Sequence, residues 1–217
     1  MLLLFALNCA LGLSLILFTY SLKNKKYINN EAARKLVHFA HAFVVAGWPV
    51  FIGYWFVILG ELLFLGAVLL AQEYRLFHSL RQIGRKTWGE FFFPVGVIIL
   101  ALIAPPVWVF VEALLLLGLA DGTAAIVGKR VKTKAYMVFG YKKTVGGSLA
   151  FLGVSVLVMV VVLWANPGNV TLEQFWVVVF AVPLAATLAE NLSPYGSDNL
   201  TVPLVVYFGI ASLGLLS

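Results

Sequence analysis

The chain has 217 residues, 62% of them hydrophobic and only 11% charged, with a mean hydropathy of +1.01. A soluble domain carries about twice that charged fraction, so the composition excludes one and points to a helical membrane protein. The net charge of +6 does not indicate nucleic acid: all 15 Lys and Arg residues lie in three stretches beside apolar runs, 23–35, 75–86 and 129–143, where anionic headgroups or a polyphosphate are better partners.

A membrane span needs roughly 20 apolar residues. The first run, 1–22, has no basic flank ahead of it and no clear small-residue cleavage site, and is expected to stay as a helix. It holds the single cysteine, Cys9, which supports neither a disulfide nor a cysteine metal site. Runs 36–51 and 54–71 are joined only by Pro49 to Gly53 and read as two short helices or one kinked hairpin. Pro105-Pro106 separates 89–104 from 107–128. Asn166-Pro167-Gly168-Asn169 separates 146–164 from 172–189, and 200–216 is the last run.

The expectation is an all-α, polytopic protein of about eight transmembrane helices in a single domain, 1–217, with both termini outside. Loops 23–35, 72–88, 129–145 and 190–199 then fall on one side. The basic residues of the first three mark that side as cytoplasmic. A cell inner membrane and an organelle membrane read alike here. No internal repeat is visible, which weakens an inverted-repeat transporter.

Carboxylates in hydrocarbon are costly unless paired, solvated or used. Glu61, Glu112, Asp121 and Glu190 lie within or at the ends of spans. Glu61 and Glu112 each read equally as a structural partner or a working group. Glu112 lies near the outer end of its helix, where interfacial water could solvate it. Asp121 stands in Gly118-Leu119-Ala120-Asp121-Gly122-Thr123-Ala124-Ala125, with Gly118, Gly122 and Ala125 forming a small face open to close packing. Gly128-Lys129-Arg130 follows at the basic end. A metal-bound polyphosphate needs both kinds of group, carboxylate for the cation and lysine for phosphate oxygens.

Tyr141-Lys142-Lys143-Thr144-Val145-Gly146-Gly147-Ser148 precedes the sixth span, where free helix-start amides could receive an anion and Ser148 could cap. It is not a Walker A loop. The last inner loop breaks the charge pattern: 190–199 carries Glu190 and Asp198 with no base. It suits a partner for the basic loops or a second carboxylate position for a divalent ion, although Asp198 or Asn199 could simply cap the eighth helix. Arg34, His38 and His41 share a face if the second helix begins near Arg34, and a histidine there could take a proton from an alcohol or hold a phosphate. Trp88 reads as an interfacial anchor.

Together these blocks resemble the integral-membrane lipid-alcohol kinase family, which includes dolichol, phytol and farnesol kinases and CTP-dependent diacylglycerol kinase. The carrying residues are Arg34-Lys35 with His38, the 120–125 block with Gly128-Lys129, the 142–150 block, and Asp198-Asn199-Leu200-Thr201-Val202-Pro203. The resemblance implies CTP as donor, Mg²⁺ or another divalent ion, and a membrane lipid alcohol (phytol, farnesol, polyprenol, dolichol or diacylglycerol) as acceptor. It implies Asp121 and Asp198, with Glu190, at the metal, and Lys142 and Lys143 at the phosphates beside Lys129 and, less directly, Arg130. Gly122, Gly128, Thr144, Gly146, Gly147, Ser148 and Asn199 would shape the nucleotide site, and His38 or Asp121 would take the alcohol proton.

The related phosphatidate cytidylyltransferases share a similar Asp block and Lys-Lys block. Gly147, and Asp198-Asn199 in place of a two-carboxylate ending, favour the kinase. A cytidylyltransferase would release pyrophosphate, and a transporter using Glu61, Glu112 and Asp121 would move substrate without nucleotide. The sequence sets neither the acceptor's chain length nor the oligomeric state.

Overall fold

In hydrocarbon each backbone N–H and C=O must be satisfied within its own segment, so apolar runs of this length fold as helices. The computed structural model describes residues 1–74, 87–166 and 170–216. Its helices are α1 (Leu2–Asn24), α2 (Asn30–Ala46), α3 (Trp48–Phe51), α4 (Tyr54–Glu73), α5 (Gly89–Ile103), α6 (Val107–Arg130), α7 (Val145–Ala165), α8 (Leu172–Leu192) and α9 (Asp198–Ser212). Between α6 and α7 stand two strands, β1 (Ala135–Val138) and β2 (Tyr141–Thr144). The protein is an all-α, polytopic bundle, with this one hairpin among the described residues. Four helices, α1, α6, α7 and α8, are long and apolar enough to cross a membrane; α4 and α5 contribute the shorter apolar stretches Tyr54–Leu70 and Gly89–Ile103. Most of the expected basic loop 72–88, with Arg75, Arg81, Arg85 and Lys86, lies outside the described residues, as do 167–169 of the expected break before α8.

Capping residues set several boundaries. The Asn29 side chain accepts from Ala32 N–H and starts α2 earlier than the apolar run suggests. Thr144 accepts from Gly147 N–H at the start of α7, so the cap there is Thr144 and not Ser148. Thr171 and Gln174 close a capping box on α8. The expected helix 36–51 is broken at Gly47, and Gly53, at φ +80°, turns the chain into α4.

The hairpin was not expected; 129–145 read as loop. It pairs antiparallel from Ala135 with Thr144 to Val138 with Tyr141. Its two connecting residues, Phe139 and Gly140, both have positive φ, +46° and +82°, as a type I′ turn requires. Asn-Gly or Asp-Gly usually announces such a turn, and Phe-Gly does not.

The hairpin grows from the central helix. α6 packs against α2, α7 and α9, and α5 bridges α4 and α9. Small residues allow the closest approaches. A Cβ on Gly118 would lie 3.1 Å from the Ala42 Cβ, as the small face of α6 suggests, whereas nothing lies within 4 Å at Gly122. A tight backbone crossing falls between α5 and α9. A Cβ on Gly96 would lie 2.7 Å from the Asn199 carbonyl oxygen and 3.1 Å from the Leu200 Cα. Backbone atoms cannot swing aside, so Gly96→Ala is expected to destabilise the protein by about 2 kcal/mol and to shift the start of α9. A lower melting temperature in detergent checks this; an unchanged one refutes the tight crossing.

Glu112 is fully buried, and neither carboxylate oxygen has a hydrogen-bond partner among the described residues. Interfacial solvation therefore does not account for it, because the α6 surface carrying it faces the core. Glu61 is also fully buried, with Oε1 2.9 Å from His41 Nε2 but without hydrogen-bond alignment. His41 thus turns towards α4 and packs on Phe64 and Phe93.

Candidate active site

Three carboxylates from separate elements meet at the basic end of the bundle. Asp121 comes from α6, Glu190 from the last turn of α8, and Asp198 from the first position of α9. One oxygen of each lies within 4.8 Å of the others. Charges that close repel strongly unless cations intervene. Two are paired. Lys35 Nζ lies 3.1 Å from both Asp121 carboxylate oxygens and 3.3 Å from the Asp121 backbone oxygen. Lys143 donates to the Glu190 carboxylate and, at 2.9 Å, to the Glu190 backbone oxygen.

Asp198 has no ion pair among the described residues, and its Oδ1 is buried without a hydrogen-bond partner. It stands ahead of the predicted span 200–216. Burial pushes its carboxyl up to about 6, and the Asp121 and Glu190 carboxylates push the same way. A divalent cation shared by three carboxylates would relieve this, and the hard oxygen donors fit such an ion.

These groups line one cavity of about 460 Å³, a volume suited to a small-molecule ligand. Its wall includes Lys129, Lys142, Arg34, His38, Thr144 and Ser148, with Gly128, Gly147 and Asn199. Arg34 Nε and His38 Nε2 are buried there without partners among the described residues. Arg34 and His38 share a face of α2, which begins early enough to carry both. Orphaned polar atoms gathered in one cavity call for a polar ligand.

Other expected residues are placed differently. Gly122, Arg130 and Gly146 do not line the cavity. The start of α7 is not open to an anion, because Val145 N–H donates to the Lys134 carbonyl, Gly146 N–H to Thr133 Oγ1 and Gly147 N–H to Thr144 Oγ1. Glycine is needed at 128 and 147 for packing: a Cβ on Gly128 would lie 2.8 Å from Thr144 Oγ1, and one on Gly147 3.1 Å from the Ala124 carbonyl oxygen. Ser148 is a bracket for the hairpin: its hydroxyl lies 2.8 Å from Asn191 Oδ1 and 2.6 Å from Tyr136 Oη, and the two hydroxyls share that amide oxygen as acceptor, directly or one through the other. The Asn199 side chain donates to the Gly196 carbonyl and holds the turn before α9.

Sequence reasoning gave Lys35 no role of its own and did not single out Tyr136, Tyr141 or Tyr195. Lys35 sat in a basic run that positive-inside bias already explained, and its partner Asp121 is 86 residues away.

The chain is 30% identical over 198 residues to phytol kinase of Synechocystis sp., covering 88% of this chain and 84% of that protein. It belongs to the integral-membrane lipid-alcohol kinase family. No protein-family profile matches it, and no solved structure does. Membership in this phosphotransferase family agrees with a polytopic bundle whose cavity joins carboxylates to cations.

Proposed function

We propose that the chain transfers the γ-phosphoryl group of CTP to the hydroxyl of a membrane lipid alcohol, at the cytoplasmic face. The observation that carries this is the set of orphaned buried atoms, Arg34 Nε, His38 Nε2 and Asp198 Oδ1, in one cavity with three converging carboxylates. Such a cavity wants a ligand that is both anionic and cation-bound, and a nucleoside triphosphate with its divalent ion is one. Asp121, Glu190 and Asp198 would hold the ion, which when bound neutralises charge on the phosphate oxygens. Lys129, Lys142, Lys143 and Arg34 contact those oxygens and set the donor's direction.

The acceptor hydroxyl would arrive laterally from the bilayer, between helices. Its oxygen forms a bond to the γ-phosphorus as the bond from that phosphorus to the β,γ-bridging oxygen breaks, and CDP leaves. The hydroxyl proton passes to His38 Nε2, which has no partner among the described residues and is not one of the three carboxylates that would hold the ion; both Asp121 carboxylate oxygens already face Lys35. Catalysis is then largely positioning and charge neutralisation.

Purified protein in lipid, given γ-labelled CTP, Mg²⁺ and a panel of phytol, farnesol, polyprenol and diacylglycerol, tests the reading. A labelled lipid monophosphate with CDP is expected, and the labelled product names the acceptor. CDP-lipid and pyrophosphate from phosphatidate, with no lipid monophosphate from the panel, would overturn it.

A further inference from the structure

The cavity also has an aromatic corner. Tyr141 opens β2, and Tyr195 lies in the turn between α8 and α9. Their ring centroids are 5.2 Å apart and their planes cross at 81°. Both line the cavity. Tyr195 is 48% exposed, whereas Glu190 is 7% exposed, so the cavity runs from a charged floor to an aromatic rim.

The rim is held in place. Tyr195 and Gly196 both have positive φ, +58° and +86°, and Ser197 N–H donates to the Pro194 carbonyl across them. Positive φ is disfavoured for a residue with a Cβ, and such conformations persist where the surroundings fix them. Trp88 N–H (2.7 Å) and Thr87 Oγ1 (3.4 Å) both donate to the Tyr195 carbonyl. Gly196 has no room for a side chain: a Cβ would lie 2.6 Å from Thr87 Oγ1 and 2.7 Å from the Gly89 nitrogen. The turn is thus clamped to the start of α5, and it presents an exposed ring at the mouth of a site whose floor is ionic.

From this geometry we infer that Tyr195, walled by Tyr141, is the platform on which the nucleobase of the donor stacks, an assignment that rests on the phosphotransfer reading above. Stacking suits any base, because every base has a π-face, so the corner supplies affinity and orientation. The lysines address the phosphates separately. The two shares of binding are therefore separable by ligand.

Calorimetry on the full-length protein in detergent with Mg²⁺ would compare CTP with inorganic tripolyphosphate, which lacks base and ribose. Tyr195→Leu is expected to weaken CTP about tenfold, the loss of one stacked base, and to leave tripolyphosphate unchanged. Tyr195→Phe should retain wild-type affinity for both. An equal loss for both ligands in Tyr195→Leu would make the residue merely structural and overturn the platform. So would unchanged CTP affinity in that variant. If the wild-type protein bound neither ligand, the phosphotransfer reading itself would fall, and the platform with it; binding of both by wild type keeps the two questions apart.

Discussion

Asp121→Asn is expected to lower turnover by about a hundredfold or more while leaving the protein folded. The substitution keeps the size of the side chain and an oxygen that can still accept from Lys35, so the α2–α6 contact persists. It removes one of three charges gathered around a single point. Charge stabilisation by a bound divalent ion is worth several kcal/mol, and each 1.36 kcal/mol of barrier is a factor of ten. Turnover of labelled CTP with a lipid alcohol, beside a size-exclusion profile of the same preparation, checks both halves. Wild-type turnover in a folded Asn variant would remove Asp121 from the chemistry.

Lys143→Met should act on stability as well as on nucleotide. It strips the cation from Glu190, whose side chain is 9% exposed while that of Lys143 is 20% exposed. Breaking a buried pair by removing one partner leaves an uncompensated charge. The expected loss is about 2 kcal/mol, below the fully buried case because solvent reaches part of the lysine. Lys142 lines the same cavity but is more exposed than Lys143, so Lys142→Met should raise the apparent KM for nucleotide with little change in melting temperature. Adding Glu190→Gln to Lys143→Met should recover most of the stability but not the nucleotide affinity. Equal melting temperatures for the two single lysine variants would show that the Lys143–Glu190 pair contributes nothing to the fold.

The long apolar runs were legible because hydropathy over 20 residues is a strong signal, and α1, α6, α7 and α8 match it. Convergence of Asp121, Glu190 and Asp198 was legible in part, since each carboxylate stood where composition gave no reason for one. Other features stayed hidden for identifiable reasons. The hairpin is only four residues per strand with a Phe-Gly turn. The open amides expected at the start of α7 are taken by Thr133, Lys134 and Thr144, contacts that depend on how the hairpin folds back. Gly96 shows no local pattern that marks a backbone crossing with residues 199 and 200. Tyr195 could have been suspected from the Pro-Tyr-Gly-Ser turn, but its ring contact with Tyr141 spans two distant segments.

The Lys35–Asp121 pair bears on how the chain is made. Synthesis runs from the N-terminus, so α2 and α6 both exist before α8 and α9 are translated. Lys35 precedes Asp121 by 86 residues, so the cation that pairs with this carboxylate is already made when α6 enters the bilayer. Glu190 and Asp198 come last, and Lys143, already made, is waiting for Glu190. The order in which charges emerge thus pairs two of the three acids during assembly and leaves Asp198 for the finished protein.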